Sequence, residues 1–150
     1  MKVREIFEAK AAALHTATPQ QPLTRAIDEM AEFDVGSLVV MADGRMVGML
    51  TFREILKALR AHGSHIDGMT VGEVMIDDPV TVFPEMEINE LRQLMIEKRS
   101  RYVPVLEGEQ LLGVISFLDV AKAVLEEQGL ENRMLKRYIK NWPEDKATLD

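Results

Sequence analysis

The stretch GVISFLDV, residues 113–120, sets a hydroxyl at Ser116 and a carboxylate at Asp119, where an apolar strand pattern gives way to a helical one. Two chemistries suit that spacing. In a capping box, each side chain bonds the other residue's backbone N–H, and the pair stabilises a helix start by about 1 kcal/mol. The same two groups suit a ligand. A helix N-terminus offers unpaired N–H groups and a partial positive charge to a phosphate. A carboxylate one turn in can accept bonds from two vicinal hydroxyls, as it does in dinucleotide folds. Gly113 keeps side chains out of the way where a ligand or a neighbouring strand comes close. A near copy, GMLTFREI at 48–55, puts Thr51 and Glu54 in the matching places.

The copy extends far beyond these octapeptides. At an offset of 65, residues 16–60 align without a gap against 81–125, with nine identities in 45 positions. They include Thr16/Thr81, Pro19/Pro84, Met30/Met95, Val40/Val105 and Gly48/Gly113, and Leu23/Ile88, Leu50/Ile115 and Glu54/Asp119 are similar. A period this long with two copies implies a pseudo-twofold pair, not a solenoid. Each copy has one grammar: an extended piece ending in proline, a helix over 22–33 or 87–98, then two strands around a turn, then a helix from Thr51 or Ser116. Ile88, Leu91, Met95 and Ile96 carry the helical spacing, and the apolar runs flanking Asp43-Gly44 predict a hairpin. The last helix is expected to stop at Gly129. The fold class is therefore α+β (α/β by some schemes), with two β-α-β-β-α repeats and terminal helices.

The predicted boundaries are 1–14 for a helical lead-in, 15–62 for repeat 1, 63–78 for a linker with a short helix near 71–75, 79–128 for repeat 2, and 129–150 for a C-terminal helix and tail. Leu130, Met134, Leu135 and Tyr138 fall on one face of that last helix, which predicts docking on this chain or another.

Composition narrows the function. The net charge of −7 argues against a nucleic-acid binder, which needs a basic face. The chain lacks cysteine, so it has neither disulfides nor thiolate chemistry. No apolar run approaches a membrane span, and Arg4, Glu5 and Glu8 interrupt any signal-like segment; the expected location is cytoplasmic. Ten methionines predict a core rich in adaptable thioethers. His62 and His65 have helical ligand spacing but Gly63 lies between them, and no metal site is expected. Asp77 and Asp78 before Pro79 suit a turn. No nucleophile–base pair, P-loop or metal cluster can be assembled, so no catalytic residue is expected.

The ordered motifs in both copies, VGEVMIDDPVTVFP, LRQLMIEKRSRYVPVLEGEQLLGVISFLDV and IDEMAEFDVGSLVVMADGRMVGMLTFREIL, resemble a tandem pair of CBS domains, a Bateman module. The opening KVREIFEAK is similar to the lead-in of stand-alone bacterial-type members. The resemblance implies a disc with two symmetry-related clefts, a homodimer, and a regulatory role played through an adenosine-containing ligand: AMP, ATP, NAD or S-adenosylmethionine. No required cofactor is implied, and the effector protein is unknown.

Carried over residue by residue, the family's glycine, hydroxyl and carboxylate signature falls on Gly113, Ser116 and Asp119, and on Gly48, Thr51 and Glu54. The backbone at Thr81 and Val82, and from Tyr102 through Val103 to Pro104, resembles the segments flanking the base. Arg101 stands where members carry a cation for phosphate; its other reading is a solvated edge charge beside Lys98 and Arg99. The matching set in repeat 1 is Thr16, Ala17, Gly36, Ser37 and Leu38, with Arg53 beside the motif. In the family the acidic residue receives the ribose hydroxyls. Glu54 is one methylene longer than that position's aspartate, so the second site is expected to be the better nucleotide site and the first degenerate or differently selective. The competing reading is a constitutive dimerisation or interaction scaffold with vestigial pockets.

Overall fold

Each repeat is built on an antiparallel hairpin whose turn only certain backbones permit. A computed structural model describes residues 1–9 and 14–140. Residues 10–13 of the lead-in, the tail beyond Lys140 and the side chains of Leu130 and Glu131 lie outside the described residues. In chain order the elements are α1 (Val3–Ala9), β1 (Thr16–Ala17), α2 (Leu23–Phe33), β2 (Ser37–Ala42), β3 (Arg45–Thr51), α3 (Phe52–His62), a 3₁₀ helix (Gly63–Gly68), α4 (Val71–Val74), α5 (Ile88–Lys98), β4 (Tyr102–Glu107), β5 (Gln110–Ser116) and α6 (Phe117–Lys140).

Strands β2 and β3 pair from Ser37↔Thr51 to Ala42↔Arg45. Asp43 and Gly44 between them both take positive φ, 53° and 77°, the turn whose twist matches that of the strands it joins. Strands β4 and β5 pair from Tyr102↔Ser116 to Glu107↔Gln110. Both hairpins carry a bulge at the same place: the register slips after Val40 and after Val105, leaving Val47 and Leu112 as the extra residues. Because pairing ends at Ser37–Thr51 and Tyr102–Ser116, the two hydroxyl residues stand at strand ends where helices begin.

Helices α2 and α5 bury one stripe each, Leu23, Ala26 and Met30 in the first and Ile88, Leu91 and Met95 in the second. They end in left-handed residues at equivalent positions, Asp34 (φ 54°) and Arg99 (φ 53°), which turns the chain back toward the strands. The core is largely aliphatic; of the methionines only Met30, Met49 and Met95 are buried, fewer than composition suggested.

The helical lead-ins are exchanged between the repeats. Val3 and Ile6 of α1 pack with Leu91, Val103 and Ile115 of repeat 2, whereas Val71 of α4 packs with Leu23, Leu38 and Leu50 of repeat 1. The backbone attachments mirror one another. Val3 N–H donates to Met86 O and Arg4 N–H to Pro84 O, as Val71 N–H donates to Gln21 O and Gly72 N–H to Pro19 O, all at 2.9 Å. The linker helix thus completes repeat 1, and the N-terminal helix completes repeat 2.

Two expectations need correction. The first strand of repeat 2 shrinks to a single bridge, Val82↔Val105, while β1 has two paired residues. Pro104 stands where repeat 1 has Val39, whose N–H donates to His15 O; proline has no N–H to give. The predicted stop at Gly129 is also absent, and α6 runs on to Lys140. A glycine inside a helix costs about 1 kcal/mol relative to alanine, and good helix formers flank it here, Glu126, Glu127 and Gln128 before it and Arg133, Met134 and Leu135 after it. Met134, Leu135 and Tyr138 remain exposed and do not join the core.

Candidate functional site

Both helix starts form the capping boxes that their spacing predicts. Ser116 N–H donates to Asp119 Oδ2 at 2.9 Å, and Asp119 N–H donates to Ser116 Oγ at 3.1 Å. In repeat 1, Thr51 N–H donates to Glu54 Oε1 at 2.9 Å, the Thr51 hydroxyl donates to the same oxygen, and Arg53 N–H donates to Thr51 Oγ1 at 3.3 Å. Glu54 is 6% exposed and Asp119 half-buried. Both carboxylates bond their own helix starts.

Two cavities of about 470 and 510 Å³ open beside these helix starts, within the range of small-molecule sites. Each is assembled from both repeats. The Ser116 cavity joins Gly113, Ser116, Phe117 and Leu118 to His15, Asp34, Val35, Gly36 and Ser37 of repeat 1, with Phe7 and Leu14 from the N-terminal segment. The Thr51 cavity joins Thr51, Phe52, Arg53 and Glu54 to Asp78 at the end of the linker and to Pro79, Val80 and the run Lys98 to Tyr102 of repeat 2. Arg101 and Tyr102 line both. A helix start from one repeat therefore faces the strand entry of the other, and grouping by repeat is not the grouping in space.

Of the residues singled out in the sequence, Ser116, Gly36 and Ser37 line the Ser116 cavity, Thr51, Arg53 and Glu54 the Thr51 cavity, and Arg101 and Tyr102 both. Asp119 is not among the lining side chains. Ala17, Leu38, Val82 and Val103 are core residues, Pro104 is buried, and Thr16 and Thr81 are exposed without lining either cavity. Spacing alone did not single out Asp34, Leu112, Lys98, Arg99 or Asp78 as site residues. The offset of 65 contains the signal for one pair: Asp34 and Arg99 are mates, and both hold the left-handed position that feeds a cavity wall.

The walls rest on tight contacts. The ring of Phe7 covers Gly113, where a Cβ would lie 2.3 Å from it, and the mate Gly48 is covered by Met75 and by the carbonyl oxygen of Ile76, each 2.6 Å from such a Cβ. His15 stacks on Phe33 with ring centroids 4.3 Å apart. Among the described residues, no group of three or more histidine, aspartate or glutamate side chains could hold a metal ion. No described helix is long and apolar enough to cross a membrane.

Known proteins share this family and fold. The CBS domain family matches twice, over residues 3–61 and 71–126. The mitochondrial CBS domain-containing protein CBSX3 of Arabidopsis thaliana is 32% identical over 119 residues, which are 76% of this chain and 58% of that protein. The chain thus spans less than two thirds of that relative. The crystal structure of a CBS-domain containing protein from Agrobacterium tumefaciens superposes with a TM-score of 0.78 at 29% identity, covering 82% of this chain and 98% of the other. The crystal structure of CBSX2 in complex with AMP gives a TM-score of 0.66 at 25% identity, over 77% of this chain and 90% of that one. With two family matches over the two halves that the offset and the fold both define, the chain belongs to the CBS-domain family as a tandem pair.

Proposed function

We propose that the chain is a sensor module that binds an adenosine-containing ligand (AMP, ATP, NAD or S-adenosylmethionine) in the cleft between its repeats and signals through a change in their arrangement. One observation carries this reading: each cavity takes its helix start from one repeat and its opposite wall from the other, so a ligand filling it bonds to both. A ligand shifts an arrangement only as far as it binds one state better than another, and a site straddling two units supplies that difference. The AMP held by CBSX2 supports the ligand class. Helix N–H groups and the hydroxyls of Ser116 and Thr51 would meet phosphate or ribose, with Arg101 toward phosphate and Tyr102 toward the base. The module acts without chemistry of its own, as a homodimer reporting to an effector protein.

The scaffold reading draws on two observations. Both carboxylates are engaged in capping boxes, and Met134, Leu135 and Tyr138 are exposed on the extension of α6. A thermal-shift panel with millimolar adenine compounds, joined to mass spectrometry of the protein as purified, decides between them. The sensor reading predicts a co-purified nucleotide or a rise in melting temperature with at least one compound. Neither, across the panel, leaves the scaffold.

A further inference from the structure

The two cavities are alike in build and unlike in charge. Arg53, Lys98, Arg99 and Arg101 line the Thr51 cavity, against the carboxylates of Glu54 and Asp78. Glu54 is buried and turned onto the backbone of Thr51. None of the four cations makes an ion pair among the described residues. Three elements bring them together: the first turn of α3, the C-terminal end of α5 with its left-handed cap, and the entry to β4. The offset of 65 identifies the residues that replace them on the other side: Leu118 for Arg53, Phe33 for Lys98, Asp34 for Arg99 and Gly36 for Arg101. Leu118, Asp34 and Gly36 line the Ser116 cavity, and Phe33 stacks on its wall residue His15. Among the described residues Arg101 is the only lysine or arginine lining it, Asp34 lines it too, and Phe7, Leu14, Leu112 and Phe117 add apolar surface.

We infer that the Thr51 cavity is the polyphosphate site, taking a nucleoside di- or triphosphate, while the Ser116 cavity takes an adenosyl ligand of low charge. The inference rests on the proposed reading of the cleft and adds which ligand each half selects. Four converging cations, in a chain whose net charge is −7, form a local field opposed to the global one. Arginine supplies paired donors that match phosphate oxygens, and the start of α3 adds its dipole. These side chains are solvent-exposed, so the selection weakens as salt rises.

The test is calorimetric titration of the full chain with adenosine, AMP, ADP, ATP and inorganic triphosphate, at low and high salt. Affinity should climb from adenosine through AMP and ADP to ATP, and inorganic triphosphate should bind more weakly than ATP. Arg53→Ala/Arg99→Ala should weaken ATP and triphosphate by about tenfold while leaving adenosine unchanged. Leu118→Arg, which gives the Ser116 cavity its mate's cation, should strengthen AMP there. Equal affinity along the series, or equal loss of adenosine and ATP in the double variant, overturns the inference and leaves the adenosine reading standing. Triphosphate binding that the double variant loses, with no adenosine compound competing, overturns the adenosine reading and keeps the charge assignment. Binding of none of the five overturns both.

Discussion

The phenolic oxygen of Tyr102 lies over Gly36, where a Cβ would fall 1.8 Å from it. Repeat 2 thereby rests on repeat 1 at a point where both cavities share a wall. Gly36→Ala must push the ring aside, and Tyr102 is half-buried with room to move. The expected result is a small stability loss, under about 1.5 kcal/mol, with altered ligand binding. Adding Tyr102→Phe, which removes the nearest of the clashing ring atoms, should restore part of it. Denaturation midpoints and ligand titrations of the single and double variants check this.

Gly48→Ala should behave differently. Its Cβ would meet the Ile76 carbonyl, which accepts from Met49 N–H at 3.0 Å while Ile76 N–H donates back at 2.9 Å. Backbone held by two bonds cannot swing like a ring, so a loss of about 1–3 kcal/mol is expected. Urea denaturation measures it, and a loss no larger than that of Gly36→Ala would contradict the distinction.

The capping boxes predict an order of stabilities. Glu54 is buried and accepts from both the N–H and the hydroxyl of Thr51, whereas Asp119 is half-buried. Glu54→Ala should cost about 2 kcal/mol, leaving two half-buried donors of Thr51 without their acceptor, and Ser116→Ala about 1 kcal/mol. Chemical denaturation of both variants gives the comparison, and the reverse order would show that the buried box does not hold α3.

The attachment of α1 should depend on pH. Hydrogen bonds from Arg4 first and Lys2 second hold the Glu85 carboxyl below its ordinary value of 4.5, and the same contact raises Arg4. A depressed folded value means that the contribution is full above the ordinary value and is lost as pH falls through the folded one. The midpoint difference between the natural chain and Glu85→Gln should therefore shrink between about pH 6 and pH 3. A constant difference would show that the contact contributes nothing to stability.

What the sequence disclosed follows from what is local. The hairpin at Asp43-Gly44, the helices around Leu23 and Ile88, and both capping boxes depend on residues a few positions apart, and pattern alone located them. The offset of 65 yielded the pseudo-symmetry and the mates of the core residues within 16–60 and 81–125. It did not yield the exchange of α1 and α4, because Val3 and Val71 are equally apolar and only packing chooses the repeat each completes. The crossing of the cavities was hidden for the same reason: nothing near Ser116 names Gly36 as its neighbour. Gly129 misled because a helix stop and a tolerated interior glycine look alike until the flanking turns are seen.

The central claim is that one cleft, walled by both repeats, holds an adenosine-containing ligand. Amide chemical-shift mapping of the full chain titrated with AMP tests it most directly. Binding should shift resonances in both repeats at once, at Gly36 and Ser37 with Ser116 and Phe117, or at Thr51 and Arg53 with Ser100 to Tyr102. Shifts confined to one repeat, or none at saturating AMP and ATP, would contradict it.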